Sequence, residues 1–227
     1  MLRFTNFWLL IAALWVVSLS NANATLMLSI SDGVQTLELT DTDNNGIVGF
    51  DSDLMTGWNA SISNWTSVGA KGYGTNWFDA DPYTDIMHLN SIDGSTSSGG
   101  TLTIMLTETN LDKSTAPFMG DFGGVSGGSI TFQSYIAASN QAFDLDTLIH
   151  ESSVTSGGGF SDSFSGGIDI LSDFYSMTLV ATITHTGKTV SSFDYEVKVP
   201  EPASLALMGL GLLGFGFAGR RNKFQNI

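Results

Sequence analysis

The residue types best able to do chemistry in this chain are carboxylates at short spacing. Asp41, Asp43 and Asn45 alternate and are followed by Gly46, with Asp51 and Asp53 a few residues on. Oxygen ligands two residues apart, ahead of a glycine that permits a sharp turn, form the first half of a calcium loop. The second half departs from that pattern. The twelfth position counted from Asp41 is Ser52, where an EF-hand needs a bidentate Glu, and nothing nearby reads as flanking helices. A bare β-hairpin turn accounts for the same residues, because Asn and Gly tolerate positive φ. Calcium is thus the one cofactor the pattern fits, and the turn reading requires none. A second group is aromatic: Trp58, Trp65, Trp77 and Phe78 fall within residues 58 to 78, and such rings can stack on the apolar faces of sugars.

Catalytic patterns are weaker. The chain has no cysteine, and its three histidines, His88, His150 and His185, lie far apart without metal-ligand spacing. Gly124 to Gly128 spells Gly-x-Ser-x-Gly around Ser126, but that motif acts in a strand-turn-helix elbow, and here glycines crowd it on every side. No catalytic residue is assigned, and the expectation is a protein that is not an enzyme.

The elements that must position these residues have a period of two. Leu102, Ile104 and Leu106 alternate with Thr101, Thr103, Met105 and Thr107, and Phe193, Tyr195, Val197 and Val199 alternate with Asp194, Glu196 and Lys198. Looser alternation marks 26–30, 34–39, 86–92, 130–136 and 175–185, with Gly, Asn, Asp and Ser clusters between. Many short half-buried strands predict an all-β fold, an antiparallel β-sandwich of jelly-roll or related Greek-key type. Three glycine-rich stretches, 65–82, 113–128 and 152–167, read as long loops, and 143–151 as a turn or two of helix.

Both ends differ from this body. Arg3, the apolar run from Phe7 to Val17, and Ala22-Asn23-Ala24 have the form of a signal peptide cut after Ala24, so 1–24 is a removable leader and signal peptidase a partner. The body, 25–198, carries four lysines against 21 acidic residues, a net charge of about −17. Such a surface repels phosphate backbones, which excludes nucleic acid as a partner. From 199 the sequence changes again: Pro200-Glu201-Pro202, seventeen uncharged residues from Ala203 to Gly219, then Arg220, Arg221 and Lys223. As a helix, 203–219 measures roughly 25 Å, enough to cross or nearly cross a bilayer core. The basic residues behind it stop transfer and stay on the cytoplasmic side.

This order of Pro-Glu-Pro, short glycine-rich apolar span and basic cluster resembles the PEP-CTERM sorting signal of Gram-negative bacteria. The resemblance implies processing by an exosortase, a membrane-embedded cysteine peptidase, passage through an inner-membrane-anchored intermediate, and a destination at the cell surface or in an extracellular polysaccharide and biofilm matrix. The expected function is a non-enzymatic exported surface or matrix protein. The alternative is a calcium-assisted, lectin-like module that binds polysaccharide through its clustered aromatics.

Overall fold

The strand pattern is realised in full in the computed structural model, which describes residues 24–49, 60–78, 83–112, 117–155, 157–167 and 172–200. Among the described residues thirteen strands run in chain order: β1 Thr25–Ser31, β2 Thr36–Thr40, β3 Ile47–Gly49, β4 Ala60–Ile62, β5 Trp65–Tyr73, β6 Tyr83–Thr96, β7 Gly100–Asp112, β8 Phe118–Ser126, β9 Ser129–Ala137, β10 Thr147–Val154, β11 Gly158–Gly166, β12 Phe174–His185 and β13 Thr189–Pro200. Among the described residues one 3-10 turn, Thr75–Phe78, lies between β5 and β6. All pairings are antiparallel.

The strands form two sheets, ordered β10-β9-β12-β7-β1-β2 and β11-β8-β13-β6-β5-β3, with β4 paired to β5. From β6 to β13 the chain changes sheet at every connection except β9 to β10, which pair within one sheet, so that β6-β13-β8-β11 faces β7-β12-β9-β10, the strand order of a jelly roll. Strands β1 to β5 widen both sheets at one side. The inward set is apolar and fully packed: Leu26, Leu28 and Ile30 from β1, Leu102, Ile104 and Leu106 from β7, and Phe193, Tyr195, Val197 and Val199 from β13 are all buried. At one end of the core Phe122 stacks on Phe132 at 4.6 Å, Phe193 meets Phe132 edge-on at 5.1 Å, and Tyr195 shares a hydrogen bond with Ser134 of the opposite sheet. Burial raises the Tyr195 phenol above its ordinary range.

Several expectations are corrected. Each of the three supposed loops contains a strand: β5 in 65–82, β8 in 113–128, β11 in 152–167. Their glycines serve close packing as well as turning. A Cβ on Gly72 would sit 2.2 Å from Leu106 Cδ1, and one on Gly124 would sit 2.2 Å from the Ser192 carbonyl oxygen. The stretch 143–151 is no helix; it leads into β10. The Asp41–Gly46 turn does not close a hairpin, because β2 ends on the edge of the first sheet and β3 begins on the edge of the second. Finally, β13 runs to Pro200, so the boundary between 198 and 199 falls inside a strand.

Two histidines are built into this core. His185 is 3% exposed, with Nε2 2.8 Å from Ser191 Oγ, its ring 4.9 Å from that of Trp65, and Nδ1 without a partner. His150 lies flat on Phe164 at 3.5 Å, with Nε2 buried and unpartnered. Burial lowers the pKa of both, and for His150 it outweighs the opposing pull of Asp162 and Glu151. The neutral ring is therefore the folded form, and the unfolded chain binds the extra proton. Stability should be fully present above the unfolded histidine value of about 6.5 and fall below it, by at most about 1.4 kcal/mol per pH unit for each group. Thermal unfolding between pH 8 and 5 should show that slope, and His185→Asn should flatten it.

Candidate functional site

The alternation that buries Val197 and Tyr195 turns Asp194, Glu196 and Lys198 to the outer face of the second sheet. Register then places particular neighbours beside them. Ser163 of β11 pairs with Asp121 of β8, Asp121 with Glu196 of β13, Glu196 with His88 of β6, and His88 with Tyr73 of β5. Five side chains thus form one row across five strands, about 19 Å long at the usual strand spacing of roughly 4.8 Å. Their chain neighbours Gly120, Phe122, Val197, Met87, Leu89 and Gly72 are buried, so the row lies on the solvent side.

The row is charged in its middle and aromatic at one end. Glu196 accepts from Lys198 Nζ at 2.5 Å and lies 3.6 Å from His88 Nδ1, while Asp194 lies 3.9 Å from His88 Nε2. These groups offset the repulsion between Glu196 and Asp121, carboxylates directly opposite each other on adjacent strands. Beyond His88, the Tyr73 ring is 6.1 Å away, with Lys71 Nζ over it at 5.3 Å. Trp77 leans on Tyr73 at 5.5 Å and stays 52% exposed. Two of the body's four lysines, Lys71 and Lys198, therefore sit on this face. At the opposite end, Met119, Asp121, Ser163, Ser165 and Lys198 line a shallow groove of about 410 Å³. The face offers hydrogen-bond donors and acceptors in line with an exposed indole.

The sequence-predicted aromatics part company here. Trp77 is at the end of the row. Trp65 is 1% exposed in the core and is corrected from a ligand platform to a packing residue, because it occupies an inward position of β5. Phe78 closes the 3-10 turn; Trp58 lies outside the described residues. Ser126 is buried at the β8–β9 crossing, where its hydroxyl donates to the Gly128 carbonyl and accepts from the Gly128 amide, so it is held as a turn residue.

The acidic turn at 41–46 satisfies most of its own oxygens. Asp41 Oδ2 accepts from the Gly46 amide, Asn45 Oδ1 from the Ile47 amide, and Asp43 Oδ2 from Asn45 Nδ2, each at 2.9 Å. Asn44 and Gly46 take the positive φ values the turn needs. One oxygen is left over: Asp41 Oδ1 is buried with no partner. Burial, followed by the neighbouring Asp43 carboxylate, raises the Asp41 pKa. Asp51 and Asp53 lie outside the described residues, and among the described residues no three acidic, histidine or cysteine side chains gather as a metal cluster.

At the ends of the body, Ala24 precedes β1 and Pro200 closes β13, paired with Tyr83. Ala22, Glu201, Pro202, Arg220, Arg221 and Lys223 lie outside the described residues, as does the span predicted at 203–219; no helix among the described residues is long and apolar enough to cross a membrane.

Fold and face together define an antiparallel β-sandwich protein with an ordered row of side chains on one outer sheet. Its C-terminal end is more specific: residues 198–221 match the family model described as the PEP-CTERM protein-sorting motif, so the chain carries that motif at its C-terminal end. No curated protein matches the chain. Among solved structures it is similar to TmCBM61 in complex with β-1,4-galactotriose, at 10% identity and TM-score 0.33 over 61% of this chain and 90% of that one. It is also similar to the K1 cleaved adhesin domain of Lys-gingipain from Porphyromonas gingivalis W83, at 11% identity and TM-score 0.34 over 63% and 94%. A third is the family 11 carbohydrate-binding module from Clostridium thermocellum, at 11% identity and TM-score 0.30 over 68% and 96%. At these scores the likenesses add nothing to the strand order.

The pair Asp41 and Asp43 yields a prediction. Without divalent cations, Asp43→Asn should raise the melting temperature by about 1–2 °C, roughly 0.5 kcal/mol, because it removes one of two adjacent negative charges and keeps an oxygen for Asn45. Differential scanning calorimetry in EDTA checks this.

Proposed function

We propose that this chain is a non-enzymatic exported surface or extracellular-matrix protein, sorted and processed through Pro200-Glu201-Pro202, and that it holds polysaccharide on the outer face of its second sheet. The sorting motif supports export through a C-terminal membrane anchor and processing by an exosortase. The observation that carries the binding reading is the aligned row of Asp121, Glu196, His88 and Tyr73 ending at exposed Trp77. A ring that stacks on a sugar face, next to acceptors and donors spaced by the sheet, is a sound design for a neutral or cationic glycan chain. The strongly acidic body favours the same class of ligand over an anionic polymer.

A second reading adds calcium at the Asp41 turn. The unpartnered Asp41 Oδ1 beside the Asp43 carboxylate favours it, since a bound cation would take up both. Asp41, Asp43 and Asn45 would be its oxygen ligands, with Asp51 and Asp53 the nearest further carboxylates in the sequence.

Two tests follow. On a glycan array, the mature protein should bind a set of neutral or cationic saccharides, and Trp77→Ala should weaken that binding at least tenfold with little change in melting temperature. Binding unaffected by both Trp77→Ala and Glu196→Gln, or binding to no glycan, argues against the row. In the producing cell, Glu201→Ala should leave export intact and block removal of the tail, seen as a heavier, membrane-bound species. Normal tail removal in that variant would contradict the sorting role given to Glu201.

A further inference from the structure

The register fixes which end of the sandwich each loop occupies, and one end collects both termini. Pro200 ends β13 opposite Tyr83, the first residue of β6, and Lys198 pairs with Met119 near the start of β8. In the other sheet, Thr25 at the start of β1 pairs with Thr109 near the end of β7, and Asp112 at that end pairs with Phe174 at the start of β12. The short connections 97–99, 127–128 and 186–188 join the two sheets at the opposite end, so Thr25, Asp112, Phe174 and Pro200 all lie at one end. The apolar segments predicted at 1–24 and 203–219 therefore leave the sandwich from the same side. Only Glu201 and Pro202 separate Pro200 from Ala203, three steps that span at most about 10 Å of chain, and the two prolines restrict it.

The exposed apolar side chains follow this geometry. Trp77 lies just past the end of β5, Met119 near the start of β8, Leu145 and Leu148 at the start of β10, and Phe174 at the start of β12, all at the end from which the chain leaves. The opposite end carries only Val34, Val125 and Val190 among the exposed large hydrophobics of the described residues. The aromatic and the long aliphatic residues are on the side of the anchor. Trp is a residue type that favours the boundary between hydrocarbon and water.

We propose that, while the tail is attached, this end of the sandwich is a docking surface seated on the lipid interface, with Trp77, Leu145, Leu148 and Phe174 at headgroup level and the strands standing away from the bilayer. The proposal rests on the anchor reading of the C-terminal segment. It has a consequence for the row on the second sheet: the row crosses the strands, so it runs along the membrane surface, with Glu196 four residues, about 13 Å, above Pro200. A polymer held there lies parallel to the bilayer. Exposed Asp43, Asp112, Asp146 and Asp173 share this end and oppose an anionic surface, so neutral headgroups are the fitting occupant.

The test uses the full chain in phosphatidylcholine vesicles. Having no cysteine, it accepts single reporters at exposed positions: Leu145→Cys and Phe174→Cys at the docking end, Val34→Cys and Val125→Cys at the other, each labelled with a fluorophore. Flotation with the vesicles first establishes the anchor; a chain that does not float fails on that reading, and with it the basis of the docking proposal. For the floating chain, lipid-borne doxyl should quench the probes at 145 and 174 at least twofold more than those at 34 and 125. Equal quenching at the two ends, or the reverse order, overturns the docking surface and leaves the anchor standing. Quenching that grows with protein density and needs no doxyl lipid overturns it in favour of contacts between copies. In the unlabelled chain, brominated lipid should quench an emission component that Trp77→Phe removes; its absence overturns the proposal independently of the cysteine variants.

Discussion

The structure depends on the placement of its last strand at the centre of a sheet. Strand β13 is hydrogen-bonded to β6 on one side and β8 on the other, so the second sheet has no continuous middle until residues 189–200 are in place. One alternating run serves three purposes. Phe193, Tyr195, Val197 and Val199 fill the core, Asp194, Glu196 and Lys198 flank the outer face, and the last three residues, 198–200, are already part of the sorting motif. A strand that joins residues so distant in sequence forms late, because loop closure must be met before its contacts reward it. Completion of the fold and presentation of the signal are thus consecutive along a single strand.

The sequence made the inward half of this readable. Strict alternation at 102–106 and 193–199 marked strands and faces correctly, and it also showed that Asp194, Glu196 and Lys198 share a face. Their partners were not readable, because His88, Tyr73 and Asp121 reach Glu196 only through pairings with strands far away in the chain. The glycine-rich stretches misled for a physical reason. Glycine marks turns, but it also marks strands where another element presses too closely for a Cβ, as at Gly72 and Gly124, and composition alone does not separate the two uses. Trp65 shows the same limit: an aromatic beside a turn reads as a platform until its inward register is known.

Charge explains why the row stands out. The body holds its acids almost unopposed, yet two of its four lysines and one of its three histidines converge on a strip a few strands wide. There the carboxylates of Glu196 and Asp194 face lysine or imidazole nitrogens, and two lysines against three carboxylates make the charge far less one-sided than over the body as a whole. Such a partly aromatic strip on an otherwise repulsive surface is where an uncharged polymer meets the least electrostatic cost.

Hydrogen exchange on the mature protein tests the central claim most directly. If β13 is the inner strand on which the second sheet closes, amides of 193–199 should exchange as slowly as those of β12 at 177–183, and far more slowly than the edge strand β11 at 158–166. Exchange of β13 at the rate of β11 would mean that the strand is peripheral, and would contradict both the shared use of β13 by fold and signal and the row built on it.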